Sequence, residues 1–291
     1  MTKTTKTSMI TKRTRKGRIT NVIGEAAIAV KKYPSLVIAT GTVFLIFAVF
    51  NRFVPVVAMI IGIVNMTGGS FFDAVLAVLQ MMTDLQNIPV TAAAVAVFAV
   101  LFSIAAGLVL PGYLLAAGDG LDKGPKKRGL FREGIKKYFL KFFLISVRVV
   151  FLAVLLIVFL LVSTVPAIVM TRVALSASPE LLIAAIFVDI VTVGVFFAGL
   201  AFFSIYTYMW YIASLVPVRQ PFRTGKEVAD RRFWCIILDL MVFDVIFAGG
   251  FYIIYITGSQ VIRYAAGWLF ATVFFTILPI YLVKFFKDNF K

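Results

Sequence analysis

Thirteen acidic side chains, one cysteine and no histidine set what chemistry this 291-residue chain can do. Without His, the commonest metal ligand and the commonest general base are missing. A zinc centre of Cys and His is excluded, because Cys235 is the only residue of either type. Ser-His-Asp and Cys-His nucleophilic mechanisms are excluded with it. Carboxylate chemistry around Mg²⁺ stays open on composition. A single cysteine forms no intramolecular disulfide, so the redox compartment is not written in the chain.

The acids of interest are of two kinds. Asp119 and Asp122 form a DxxD pair in the segment Gly118-Asp-Gly-Leu-Asp-Lys-Gly-Pro-Lys-Lys-Arg-Gly129. This is not a phosphate-binding P-loop, because Leu130 rather than Lys follows Gly124…Gly129; nor is it GxGxxG, because Lys123 takes the place of the third glycine. Membrane prenyltransferases and alcohol phosphotransferases hold Mg²⁺-diphosphate on acidic pairs, with further acids at fixed spacing. Here Lys126, Lys127 and Arg128 follow instead, a setting suited to a lipid phosphate rather than a metal. No metal, no cofactor and no enzymatic activity is expected. The second kind is the ionisable group inside an apolar run: Arg148, Asp189, Asp239 and Asp244. Charges in a bilayer are costly and face a bundle interior or a water path. Arg148 and Asp239 fall at similar depth and are expected to pair. Asp189 and Asp244 fall near the midplane, where two carboxylates can relay protons or hold a cation, or be protonated and hydrogen-bonded in a dry bundle.

The elements that must position these residues follow from composition. The chain is 62% hydrophobic and 14% charged, with a mean hydropathy of +1.01 and a net charge of +16. An average soluble domain is roughly 25% charged. No soluble fold of this size hides so much apolar surface, which excludes a soluble enzyme, a disordered protein and a disulfide scaffold. Six apolar runs are long enough to read as membrane spans: Pro34–Phe50 with its continuation, Pro89–Ala117, Phe142–Met170, Leu181–Ala213, Phe233–Thr257 and Val261–Phe286. Phe53–Met66 would make only about 21 Å of helix, and is read as an outward extension of the first span or a re-entrant piece.

Charge sets the orientation. With six spans and both termini inside, 26 of the 29 basic residues, all but Arg52, Arg172 and Arg263, lie in the N-terminal segment, the two inner connections (counting Arg148 at the start of the third span with the first of them) and the C-terminal end. That is the sorting the positive-inside rule requires. The expected protein is an all-α, polytopic membrane protein with six transmembrane helices and amphipathic juxtamembrane helices, N-in and C-in, in the plasma membrane. Residues 1–24 are expected to be a basic disordered cytoplasmic tail and residues 25–288 a single transmembrane domain. Met1–Thr20, rich in Thr, Lys and Arg and free of acids, also has the composition of a mitochondrial transit peptide.

Amphipathic stretches precede the inward-to-outward spans. In Leu130–Phe143, Phe131, Ile135, Tyr138, Phe139 and Phe142 recur at helical spacing, and Arg132, Lys136, Lys137 and Lys141 fall largely opposite. Such a helix lies in the interface with its basic side toward anionic head groups. Arg132-Glu133 aligns with Lys226-Glu227 and Phe139 with Phe233, a degenerate repeat, and Ala26–Lys32 is a weaker third version. Ser70–Leu85 reads as an external amphipathic helix. Nucleic acid is not an expected partner, because the positive charge is split among four segments beside a membrane and no base-stacking module is present.

The six-span layout and the aromatic-basic stretch Gly134-Ile-Lys-Lys-Tyr-Phe-Leu-Lys-Phe-Phe143 resemble the membrane domain fused to some glycerophosphodiester phosphodiesterases and its stand-alone prokaryotic relatives. The likeness spans most of Glu25–Lys284. No phosphodiesterase domain accompanies it here, and the histidines that activity requires are absent, so the resemblance implies only a multi-pass membrane protein. The expected role is non-enzymatic: the basic segments, with Lys126, Lys127, Arg128, Arg132, Lys136, Lys137 and Lys141, engage anionic lipid head groups or a membrane-protein partner. The alternative is a small transporter or channel with a carboxylate pathway at Asp189 and Asp244.

Overall fold

A computed structural model describes residues 18–53, 77, 80, 84, 86, 88–122, 124–176, 179–216, 220–256 and 259–290. The expectations for Phe53–Met66, for most of Ser70–Leu85 and for the first residues of the tail lie outside them. Among the described residues the regular structure is helical: α1 (Arg18–Lys32), α2 (Ser35–Phe53), α3 (Ile88–Gly120), α4 (Leu130–Ser176), α5 (Leu182–Ala213), α6 (Pro221–Arg231), α7 (Phe233–Ile256) and α8 (Gln260–Asn289), with one 3₁₀ turn at Pro179–Leu181. In a medium without water each backbone N–H and C=O must bond within its own segment, which an apolar helix achieves.

Five helices, α3, α4, α5, α7 and α8, are long and apolar enough to cross a membrane; a sixth is reached if α1 and α2, bent by 93° at their junction, count as one broken span. The bend has a local cause. Pro34 has no N–H to donate and disfavours the helical conformation at Tyr33 before it. Many large apolar side chains point outward, among them Ile183 (82% exposed), Val261 (78%) and Val245 (71%). Such an exterior suits hydrocarbon and would be an aggregation hazard in water.

The amphipathic segments divide. α6 is a separate helix: Pro221 sits in its first turn, where the missing N–H costs nothing, and Gly225, Val228 and Ala229 form its buried side. It ends at Arg232, whose φ of −137° and ψ of 28° leave the helix before α7 begins. Leu130–Phe143 differs from its expectation as a discrete interfacial helix. It is the start of the unbroken 47-residue α4, about 70 Å along the axis. No Gly or Pro occurs between Ile135 and Val165, so nothing interrupts the hydrogen-bond ladder where the amphipathic stretch passes into the apolar one; Pro166, which lacks an N–H, lies further along.

The chain forms two compact units. One comprises residues 1–46, 108–139 and 211–291; the other, residues 47–107 and 140–210. In the first unit a phenylalanine ladder joins α7 to α8. Phe247 packs on Phe274 (ring centroids 4.7 Å apart), Phe270 (5.9 Å) and Phe275 (5.3 Å). Polar groups on α2, α3 and α8 satisfy one another: Thr40 lies 3.4 Å from the Tyr113 hydroxyl, which donates to the Thr276 carbonyl at 3.4 Å. A close helix approach brings α3 against the first turns of α4. A Cβ on Gly112 would lie 2.6 Å from the Phe131 carbonyl oxygen, and one on Gly134 would lie 2.9 Å from the Gly112 Cα and from the Pro111 oxygen. Small residues are what permit such crossings in membranes. In the second unit, Gly199 of α5 gives similar access to Leu160 of α4, which a Cβ would meet at 3.3 Å.

The crossing predicts a selective loss of stability. Gly134→Ala is expected to lower stability by about 1–3 kcal/mol through overpacking, seen as a fall in the thermal midpoint of the purified protein in detergent. Gly124→Ala, where an added Cβ meets nothing within 4 Å, is expected to leave the midpoint in place.

Candidate functional site

A dense polar constellation lies in the first unit, where the α1–α2 bend, the end of α3, the loop after it, the start of α4 and the end of α8 meet. Its centre is Asp119 in the last turn of α3. The Tyr33 hydroxyl donates to Asp119 Oδ2 at 2.7 Å, Lys32 Nζ lies 2.8 Å from the same oxygen, and Lys127 Nζ is 3.6 Å from Oδ1. Lys32 also donates to the Asp119 carbonyl at 2.7 Å. The side chains of Lys32 and Asp119 are only 13% and 11% exposed, so water screens the pair little. Tyr33 is bound from both sides, because its oxygen accepts the Lys127 backbone N–H at 2.9 Å. Burial and then the hydrogen bond to Asp119 hold the Tyr33 phenol above its ordinary pKa, which keeps it a neutral donor.

A second clamp reaches the C-terminal helix. Lys287 donates to the Gly118 carbonyl at 2.7 Å and to both Asp122 oxygens at 3.0 and 3.1 Å. Lys284 pairs with Glu25 of α1. The two carboxylates of the DxxD pair therefore each face a lysine from a distant part of the chain, and they tie α1, α3 and α8 together. Among the described residues no group of three or more Cys, Asp or Glu side chains is placed to hold a metal ion.

Beside the clamp opens a cavity of about 470 Å³, lined by Tyr33, Ser35 and Lys126 to Phe131 together with Pro34 and Ala116. Lys126 Nζ stands 5.5 Å from the centroid of the Tyr33 ring. Gly129 closes the loop at a φ of +73°, a conformation other residues rarely adopt. Lys126, Lys127 and Arg128 thus come together on one cavity wall. Arg132, Lys136 and Lys137 lie on the exposed side of the first turns of α4, with Lys137 5.4 Å from the Tyr138 ring, and Lys141 is half-buried.

The ionisable groups of the apolar runs are distributed differently. Asp239 accepts a hydrogen bond from the Tyr281 hydroxyl of α8, a partner that sequence spacing did not indicate beside Arg148. Asp189, in the second unit, takes the Thr171 hydroxyl on both oxygens at 3.2 and 3.1 Å. Arg148 lies on an exposed part of α4, and Asp244 on the exposed side of α7. Sequence reasoning missed Lys32, Tyr33, Lys284 and Lys287 as partners of the acids. The only signal was a charge run ending in Lys32-Tyr33-Pro34 at the mouth of a span.

The clamps differ in burial, so their removal is expected to differ in cost. Asp119→Asn is expected to cost about 1.5–3 kcal/mol, the worth of charged hydrogen bonds. Asp122→Asn, whose side chain is 64% exposed against a 42% exposed Lys287, is expected to cost at most about 1 kcal/mol. Thermal midpoints of the two variants in the same detergent measure the difference.

Comparison of the chain with protein-family models, with curated proteins and with solved structures gave no match, so its geometry alone carries the functional reading.

Proposed function

We propose that this chain is a non-enzymatic multi-pass protein of the plasma membrane, with six spans and both termini cytoplasmic. Its basic cytoplasmic segments engage the head groups of anionic lipids. The observation that carries this reading is the exposed basic side of the first turns of α4, Arg132, Lys136 and Lys137, in direct continuity with an apolar helix. A bilayer that holds the apolar part of α4 brings these side chains to head-group depth. There each Lys or Arg gains about 1 kcal/mol from an anionic leaflet. Arg223, Lys226 and Arg231 lie on α6, the separate amphipathic helix that precedes α7. The internal neutralisation of Asp119 and Asp122 by lysines supports a structural role for the DxxD pair.

The test is lipid preference in mixed vesicles. Quenching of tryptophan by brominated phosphatidylglycerol, compared with brominated phosphatidylcholine, reports which lipid collects at the protein surface. The native chain is expected to prefer the anionic lipid. Arg132→Ala/Lys136→Ala/Lys137→Ala is expected to weaken that preference by about 10- to 100-fold, the equivalent of up to about 3 kcal/mol. Equal quenching by both lipids in the native chain would sink the proposal.

A further inference from the structure

Electrostatic attraction along a helix face gathers lipids loosely and in no fixed number. The cavity beside Tyr33 has the features of a discrete site. Three cations, Lys126, Lys127 and Arg128, stand on its wall, and no acid is among its lining residues. Asp119, outside the lining, is bonded to Lys32 and Tyr33, and Lys127 Nζ stands 3.6 Å from its other oxygen while the Lys127 side chain stays 70% exposed. The Ser35 hydroxyl and the Tyr33 ring add polar groups, while Pro34, Ala116, Leu130 and Phe131 make the rest of the lining apolar. A free inorganic anion would gain nothing from that apolar share. A phosphate joined to acyl chains would gain from both parts. The cavity also lies where the apolar helices α2 and α3 meet a charged loop. Its volume of about 470 Å³ is that of a small-molecule site.

We propose that the cavity between Tyr33, Lys126–Arg128 and Phe131 binds the phosphate head group of one anionic phospholipid, with the adjoining apolar wall receiving the start of its acyl chains. This rests on the reading above that the basic segments face an anionic leaflet, and it adds a site with a stoichiometry of one.

Native mass spectrometry of the full chain in detergent, titrated with phosphatidylglycerol, phosphatidic acid or phosphatidylcholine, tests it. One anionic lipid is expected to be retained at low lipid-to-protein ratio, and phosphatidylcholine is not. Lys126→Ala/Lys127→Ala/Arg128→Ala is expected to weaken retention at least about tenfold, the loss expected for one charged hydrogen bond. Arg132→Ala/Lys136→Ala/Lys137→Ala is expected to keep the retained lipid, although it lowers the general preference in vesicles. Ser35→Phe fills the cavity at constant charge without adding a tryptophan, and is expected to abolish retention while leaving the vesicle preference intact. Both sets of variants are checked for an unchanged thermal midpoint without lipid.

Four outcomes overturn the site. Graded binding of several anionic lipids with no retained first one would leave only the general lipid reading. Equal loss in the two triple variants would do the same. Displacement of the lipid by excess glycerol phosphate or inorganic phosphate would assign the site to a free phosphate. Loss of all anionic preference in both assays would remove the general reading as well.

Discussion

A bilayer core offers no water, so backbone groups must bond within their own segment and charges must pair or leave. That constraint accounts for the long helices, for their outward apolar side chains and for the crowding of basic residues between the apolar runs. It also accounts for the few polar groups inside the helices. Asp189 takes Thr171, Asp239 takes Tyr281, and Tyr113 bridges Thr40 and Thr276. Each is a local settlement of a group with no solvent to turn to.

At the ends of the helices the same constraint relaxes, and electrostatics takes over the work of joining distant parts of the chain. Lys32 and Lys287 lie on either side of the DxxD pair, one from the first helix and one from the last. Tyr33 connects the pair to the loop that presents Lys126, Lys127 and Arg128. The clamp pairs Asp119 and Asp122 with lysines, and Lys126, Lys127 and Arg128 line the neighbouring cavity. A cavity with three cations beside a neutralised carboxylate follows from that arrangement, and so does its suitability for a phosphate on an apolar stem.

Much of the fold was legible because membrane helices announce themselves by length and apolarity alone. Phe233–Thr257 became α7, Phe233–Ile256, and Leu181–Ala213 became α5, Leu182–Ala213, within a residue at each end. The first run is the exception. α2 reaches the status of a span only with α1 across a 93° bend, because Pro34 breaks the helix where the apolar pattern starts. The continuity of α4 was also misread. An amphipathic pattern followed by an apolar one looks like two elements, yet nothing in between stops the helix. The partners of Asp119 were out of reach for another reason: Lys32 is 87 residues away, and spacing reports only neighbours along one helix. The same holds for Gly112 and Gly134, whose backbones meet: Gly112 stands in the small-residue series Gly112, Ala116, Gly120, but nothing in the spacing names Gly134 as its partner. What the residues did disclose at the site was its sign, since Lys126-Lys127-Arg128 after Asp122 pointed to phosphate rather than metal.

The central claim is that the basic segments share one face of the membrane, and sidedness measures it most directly. In a Cys235→Ser background, single cysteines at Gly124, Glu180, Ser259 and Asp288 can be labelled with a membrane-impermeant maleimide on intact cells and after permeabilisation. Gly124→Cys and Asp288→Cys are predicted to react only after permeabilisation, and Glu180→Cys and Ser259→Cys to react on intact cells. Labelling of Gly124→Cys from outside, or the same accessibility at Gly124 and Glu180, would contradict the account.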